Sequence, residues 1–156
     1  MARKYKTENH SIRTSNKFVY AAQSKIHCSG LFARTDIPAG TDIVEYDGPR
    51  ISHEEGETMA KEGNVYVFSL DRKTSIDGSV KWNLARYANH SCNPNCRSVK
   101  INGSIWLRSL RPIARGEEIT YDYGYSFADY AANPCHCGQP DCVGYIVQQK
   151  YRERLS

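Results

Sequence analysis

The chain has 156 residues, enough for one domain with a real core but too few for separate cofactor and substrate domains of ordinary size. Its 21 basic and 17 acidic side chains leave a formal charge of +4, a dispersed excess too mild to argue for direct nucleic-acid binding. No apolar run approaches membrane-spanning length and no apolar signal segment follows Met1-Ala-Arg-Lys-Tyr-Lys6, so a soluble protein of a reducing compartment is expected.

In chain order, residues 1–15 are polar and basic and read as a loose arm. Lys17–Ala22 has the branched and aromatic content of a strand, Ser24–Gly30 is a turn-rich loop, and Gly30–Arg34 reads as a short strand. Asp36–Gly40 is a turn leading into a strand at Asp42–Asp47. Ser52-His-Glu-Glu55 fits a capping box and predicts a helix to Lys61, stopped by Gly63-Asn64. Strand content resumes at Val65–Leu70, a turn is expected at Ile76-Asp-Gly78, and Trp82–Tyr87 predicts one or two helical turns. Val99–Leu110 is the clearest hairpin, because Asn102-Gly103 supplies the positive backbone dihedrals of a two-residue turn and Ile105 and Leu107 share a strand face. Glu118–Tyr123 is a further strand. Many short pieces joined by Gly or Pro turns favour a β-dominated fold.

One internal echo stands out. Ile37-Pro-Ala-Gly-Thr-Asp-Ile43 and Ile113-Ala-Arg-Gly-Glu-Glu-Ile119 share the pattern Ile-x-x-Gly-x-x-Ile, each opening into a strand that ends near a tyrosine. Two copies predict a repeated turn-then-strand entry and no solenoid.

The chemistry concentrates elsewhere. Arg86-Tyr-Ala-Asn-His-Ser-Cys-Asn-Pro-Asn-Cys96 packs an imidazole, two thiols and three amides into eleven residues without apolar periodicity, the composition of a shaped site. Near the C-terminus, Cys135-His-Cys137-Gly-Gln-Pro-Asp-Cys142 places three thiols within eight residues. With Cys92 as a fourth ligand brought from afar, these make a complete tetrahedral shell for one structural Zn2+, which would staple the tail onto the domain. Two unrelated cysteine clusters are the alternative.

These stretches, with Gly-Glu-Glu-Ile-Thr-Tyr-Asp-Tyr at 116–123, resemble a SET-domain protein lysine methyltransferase carrying a C-terminal post-SET zinc segment, over about Lys17 to Ile146. The resemblance implies a fold of several small curved β-sheets around a pseudoknot-like crossing, in which the Asn89-His90 loop passes beside the strand ending at Tyr123. It divides the chain into a flexible basic arm (1–16), a catalytic SET domain (17–130), a post-SET zinc segment (131–148) and a solvated tail (149–156).

The resemblance also implies S-adenosylmethionine as cofactor, held by Asn89 and His90, by the turn Cys28-Ser29-Gly30 with main-chain contacts from Ser29 and Leu31, and by Tyr123 and Tyr145. Arg86 is assigned to structure or the cofactor rim. Tyr123 matches the tyrosine of the methyl-transfer site, Tyr121 the neighbouring position where the family alternates phenylalanine and tyrosine, and Tyr66 another wall of the lysine channel. Tyrosine at 121 favours a mono- or dimethyl product. Zinc falls to Cys92, Cys135, Cys137 and Cys142, leaving Cys28 and Cys96 outside. Phe127, Tyr130, Tyr145 and Ile146 flank the tail as lid or as apolar anchors, and Asp122 reads as a buried acceptor.

The sequence departs from the family pattern at Cys28, where the cofactor turn usually has glycine, and at Trp82, where a small residue is common. The acceptor expected from the family is a protein lysine, with a histone tail as the default. A eukaryotic source would place the protein in the nucleus, a microbial one in the cytoplasm or on host chromatin. A SET-like scaffold that binds cofactor or peptide with little turnover is the competing reading.

Overall fold

The computed structural model describes residues 14–156, so most of the expected arm lies outside the described residues. The last residues of that arm are paired: Ser15 bridges Tyr20, and the Asn16 side chain accepts from the backbone amides of Phe18 and Val19.

Strands β1 (Val19–Gln23) and β2 (Ser29–Ala33) form an antiparallel hairpin. After β3 (Asp42–Tyr46), β4 (Arg50–Ser52) leads directly into helix α1 (His53–Lys61). Strands β5 (Val67–Ser69) and β6 (Thr74–Asp77) join β4 in a three-stranded sheet of order β4-β6-β5. A 3-10 turn at Leu84–Tyr87 precedes β7 (Asn89–His90), β8 (Cys96–Ile101), β9 (Ser104–Ser109) and β10 (Glu118–Tyr121). The larger sheet runs β1-β2-β10-β8-β9-β3, with β7 attached to β10. Further 3-10 segments at Phe127–Ala132 and Gln149–Arg154 follow. Among the described residues no helix is long and apolar enough to cross a membrane.

Local chemistry accounts for the elements the sequence signals most strongly. Glu55 N donates to Ser52 Oγ at 3.1 Å and Ser52 N donates to the Glu55 carboxylate at 2.8 Å, completing the capping box of α1. Such a cap contributes about 1 kcal/mol. Gly63, with φ +97°, follows the helix end. Asn102 and Gly103 adopt φ of 48° and 78°, the pair a type I′ turn requires, so β8 and β9 stay in register with Ile105 and Leu107 fully buried.

The internal echo proves to be a contact. Ile37 N donates to Ile113 O at 2.8 Å and Ile113 N returns a bond to Ile37 O at 2.9 Å, an isolated bridge joining the two copies at their first positions. All four isoleucines of the pattern, Ile37, Ile43, Ile113 and Ile119, are buried in the core.

Strand β10 is where the fold crosses itself. Glu118 and Ile119 pair antiparallel with β2, Thr120 and Tyr121 pair parallel with β7, and Tyr121 also lies parallel beside Cys96 of β8. Because β7 and Cys96 are the two ends of one loop, that loop clasps β10. Asn95 strengthens the clasp: its side chain donates to Glu118 O at 2.7 Å and accepts from Thr120 N at 2.9 Å.

Two expectations are corrected. Ile76 and Asp77 are not in a turn but in β6, the middle strand of the smaller sheet, where pairing on both sides and full burial of Ile76 outweigh the local turn signal; the turn begins at Gly78. There a Cβ would meet the Tyr46 ring at 2.3 Å, so glycine is required by close approach. Strand β5 is shorter than Val65–Leu70, because Asn64 Oδ1 accepts from Tyr66 N and holds 64–66 as a turn.

Replacing Ile113 by alanine removes the fully buried partner of Ile37, and the expected loss is about 2–5 kcal/mol in urea unfolding. Leu110→Ala, at a half-exposed position nearby, is expected to stay within about 0.5 kcal/mol. Equal costs would show that the bridge between the two copies is not a core contact.

Candidate functional site

The crossing at β10 opens onto a cavity of about 810 Å³, within the range of small-molecule sites. The β1–β2 turn contributes Ile26 to Ser29, the segment 65–69 contributes Tyr66 and Phe68, and β7 contributes Asn89 and His90. Tyr46, Tyr121, Tyr123 and Tyr125 add aromatic surface, and residues 132–136 with Ile146 bring in the C-terminal segment.

Asn89 acts first on the protein itself. Its Nδ2 donates to Ser29 O at 3.0 Å and to Glu118 Oε1 at 2.8 Å, while Glu118 also accepts from Ser24 Oγ at 2.7 Å. Gly30 lies against the same carboxylate, where a Cβ would come within 2.3 Å of Glu118 Oε1. Ser24, Gly30, Asn89 and Glu118 thus form a polar knot that fixes the β1–β2 turn over β7. Ser24 and Glu118 were not singled out by the sequence, and their distance along the chain from Asn89 left no local signal.

At the tip of that turn Cys28 is exposed and has φ +30°, in the left-handed region that favours glycine. Leu31 and Gly30 do not line the cavity. Leu31 is fully buried and paired with Ala21 and Ile119 in the interior of the sheet, so it supports the turn from behind.

His90 is 3% exposed and accepts from Tyr123 N at Nδ1 over 3.2 Å, with Asp122 Oδ1 3.7 Å away. Burial lowers its pKa to about 4, against an opposing pull from Asp122, so the imidazole is neutral at physiological pH. This bond ties the cavity's imidazole to the backbone of its central tyrosine.

The tyrosines form a connected wall. The Tyr121 and Tyr123 rings lie 4.9 Å apart, Tyr123 and Tyr125 5.6 Å, and Phe68 and Tyr121 6.5 Å. Tyr123 OH donates to Ala88 O at 2.9 Å and Tyr46 OH donates to Tyr66 O at 2.9 Å, whereas the Tyr121 hydroxyl makes no hydrogen bond to the described residues. Burial raises the pKa of Tyr46, Tyr121 and Tyr123, so all three remain neutral phenols. Tyr66 lies beneath the Arg86 guanidinium, 4.4 Å from its ring centroid, and Arg86 also donates to Ser79 O at 2.6 Å. Tyr46 and Tyr125 are wall residues that the sequence reading missed. None of the described residues lining the cavity is Asp or Glu.

Cys92, Cys135, Cys137 and Cys142 come together with their sulfurs all within 4.8 Å of one another. Cys92 Sγ lies 3.9 Å from Cys135 Sγ and 3.8 Å from Cys142 Sγ. A tetrahedral ion with metal–sulfur bonds of about 2.3 Å demands sulfur separations of about 3.8 Å, so the set fits. Burial pushes the Cys92 thiol up to about 11 and Cys135 higher; Cys137 is also raised by burial, but backbone amides of Cys92 and Gln139 bring it down to about 7. Four thiolates packed this closely require a cation to offset their repulsion. Cys96 lies apart in the core and Cys28 on the surface.

Tyr145 does not line the cavity. Its ring stands edge-on to Tyr130 at 5.1 Å and its backbone bridges Pro134, so the neighbouring Ile146 faces the cavity instead. Phe127 and Tyr130 stack on each other at 4.9 Å, outside the cavity lining.

The result is a β-dominated domain whose central strand is clasped by a polar loop, with an aromatic cavity beside a four-thiol cluster that could hold a metal ion. The chain belongs to the SET-domain family, whose model matches residues 29–124. It is 41% identical over 134 residues to the histone-lysine N-methyltransferase trr of Drosophila melanogaster, covering 80% of this chain and 6% of that protein. It is 39% identical over 142 residues to the H3 lysine-4 specific histone-lysine N-methyltransferase of Saccharomyces cerevisiae, covering 83% of this chain and 13% of that protein. For the Schizosaccharomyces pombe protein of the same description the identity is 35% over 147 residues, with 87% and 16% covered. The chain therefore spans a small fraction of the length of these curated relatives.

If Asn89 acts mainly on the turn, Asn89→Ala removes the amide donor from the Ser29 carbonyl and leaves the Glu118 carboxylate with Ser24 Oγ in place of two side-chain donors. The expected loss is about 1–3 kcal/mol of stability in urea unfolding with no ligand present. Unchanged ligand-free stability would contradict this role.

Proposed function

We propose that this SET domain transfers a methyl group from S-adenosylmethionine to the side-chain amine of a protein lysine, with a histone tail as the acceptor. The observation that carries the reading is one cavity lined both by Ser29, Asn89 and His90 and by Tyr46, Tyr66, Tyr121 and Tyr123. The names of the relatives support a histone lysine, and two of them support lysine 4 of histone H3. With chromatin as substrate, the working compartment is the nucleus.

When bound, S-adenosylmethionine supplies an electrophilic methyl on a positively charged sulfur. The acceptor must arrive as a neutral amine, although free lysine titrates near ~10.4. Aromatic walls of Tyr46, Phe68, Tyr121 and Tyr123 strip water from the ammonium form and offer it no carboxylate, which favours proton loss to solvent. The amine lone pair then forms the carbon–nitrogen bond as the carbon–sulfur bond breaks. The methylated ammonium and S-adenosylhomocysteine are the products, and no general base is required from the protein. What these residues contribute is alignment.

Tyr123, held at its backbone by His90 and at its hydroxyl by Ala88 O, is a rigid wall. Tyr121 has a hydroxyl with no partner among the described residues, and we assign it to the acceptor amine. Occupying space there and fixing the lone pair, it opposes a second and third transfer, so the product is mainly monomethyl with some dimethyl.

We assign residues 17–130 to the catalytic domain and 131–148 to a zinc segment. The Pro134–Tyr145 bridge and the bond from Cys135 N to Gly144 O support the second assignment. Zinc held by Cys92, Cys135, Cys137 and Cys142 would play a structural part, keeping the C-terminal segment against the loop that carries Asn89 and His90.

Mass spectrometry of histone H3 incubated with the protein and S-adenosylmethionine tests the reading. Wild type is expected to give chiefly monomethyllysine and Tyr121→Phe to shift the product toward di- and trimethyllysine. An identical product series from both would refute the role of Tyr121. Cofactor binding without transfer to any histone would instead favour the scaffold reading.

A further inference from the structure

The segment expected to be a solvated tail turns one side chain inward. Arg152 belongs to the 3-10 segment Gln149–Arg154, yet its side chain is only 12% exposed. All three guanidinium nitrogens donate: Nη1 to Cys92 O at 2.6 Å, Nη2 to Asp122 Oδ2 at 2.7 Å, and Nε to Val147 O at 3.4 Å. Its neighbours behave differently. Lys150 lies over the Tyr151 ring, and Arg154 over the Phe127 and Tyr151 rings.

The two main acceptors lie on the two strands of chain that build the cavity. Cys92 lies two residues past the end of β7, and its thiol belongs to the four-sulfur cluster. Asp122 stands between Tyr121 and Tyr123; its other oxygen accepts from Gly124 N at 2.9 Å and faces His90 Nδ1. Val147 beside the guanidinium is fully buried, and Gln148 bonds to Gly124 O and Tyr125 O through its side chain and backbone. The fork of one guanidinium therefore spans the loop after His90 and the strand extension that carries Tyr123.

We propose that Arg152 is a positioning residue for the cavity, locking the Cys92 carbonyl and the Asp122 carboxylate in one geometry and through them fixing His90 against Tyr123. The role rests on the reading of this cavity as the S-adenosylmethionine site. Arginine suits it because a rigid planar fork serves two acceptors at once, whereas lysine presents a single point of charge. Charge-assisted bonds of this kind are the strong ones in a partly buried setting.

The test compares zinc-loaded wild type, R152M, R152K and R154M. Calorimetry gives the S-adenosylmethionine dissociation constant, initial rates give KM for a histone H3 tail peptide, and a chromophoric chelator gives zinc content and release rate. R152M, which keeps the apolar stem, is expected to bind S-adenosylmethionine about tenfold more weakly and to release zinc faster. Its peptide KM should change less than twofold. R152K should recover part of the affinity, and R154M should match wild type. Undiminished affinity in folded R152M would overturn the role of Arg152 while leaving the site reading intact, as would an equal loss for cofactor and peptide. If R152M does not fold, R152K carries the test: affinity equal to wild type would overturn the proposal, and an intermediate value with unchanged peptide KM would support it. Wild type that binds no S-adenosylmethionine would overturn the reading of the site and this inference with it.

Discussion

The pairing of β10 with both ends of the loop 89–96 is the constraint from which the cavity follows. It sets Thr120 and Tyr121 beside Asn89 and His90, and so brings the cavity's polar and aromatic surfaces together. Asn95 holds one end of the loop by its side chain, and the polar knot of Ser24, Asn89 and Glu118 holds the other. A backbone crossing with buried side-chain bonds on both flanks has few ways to relax, and methyl transfer as proposed depends on that rigidity more than on any acid or base.

The four-thiol cluster extends the same constraint to the C-terminal segment. Without it, residues 132–136 and Ile146 would be kept at the cavity by apolar and aromatic contacts and by the hydrogen bonds of Gln148 and Arg152 further along the chain. With Cys92 as shared ligand, the loop that presents His90 and the segment that covers it become one body. With zinc bound, the cluster would make site closure a consequence of metal binding, because thiols this buried and mutually repulsive do not ionise together without a cation. Zinc chemistry would then set how complete the cavity is without touching the reacting atoms.

Much of this was legible in the sequence where the signal is local. The capping box at Ser52–Glu55, the Asn102-Gly103 turn and the cysteine spacing each carry their geometry within a few residues. The Ile-x-x-Gly-x-x-Ile echo foretold two similar entries, though not that Ile37 and Ile113 bond to each other. What escaped was set by contacts between distant residues. Ile76 looked like part of a turn and became the middle of a sheet, because strands on either side pair with it. Glu118 looked like one more strand residue until Asn89, 29 positions away, donated to it. Arg152 looked solvated because its partners lie 30 and 60 residues upstream. That Ile146 lines the cavity while the adjacent Tyr145 packs on Tyr130 carries no local signal, since both are large apolar side chains of one short segment. Cys28 was legible as a departure, and its positive φ shows why glycine would suit that position.

The most direct measurement is the dissociation constant of S-adenosylmethionine before and after zinc is removed by a chelator, with metal loss verified by elemental analysis and β-structure followed by circular dichroism. The account predicts about one zinc per chain at the start and a fall in affinity of about tenfold or more on removal, reversed when zinc is restored, with the strand signal retained. Affinity that survives complete metal loss would contradict the coupling of the thiol cluster to the cavity.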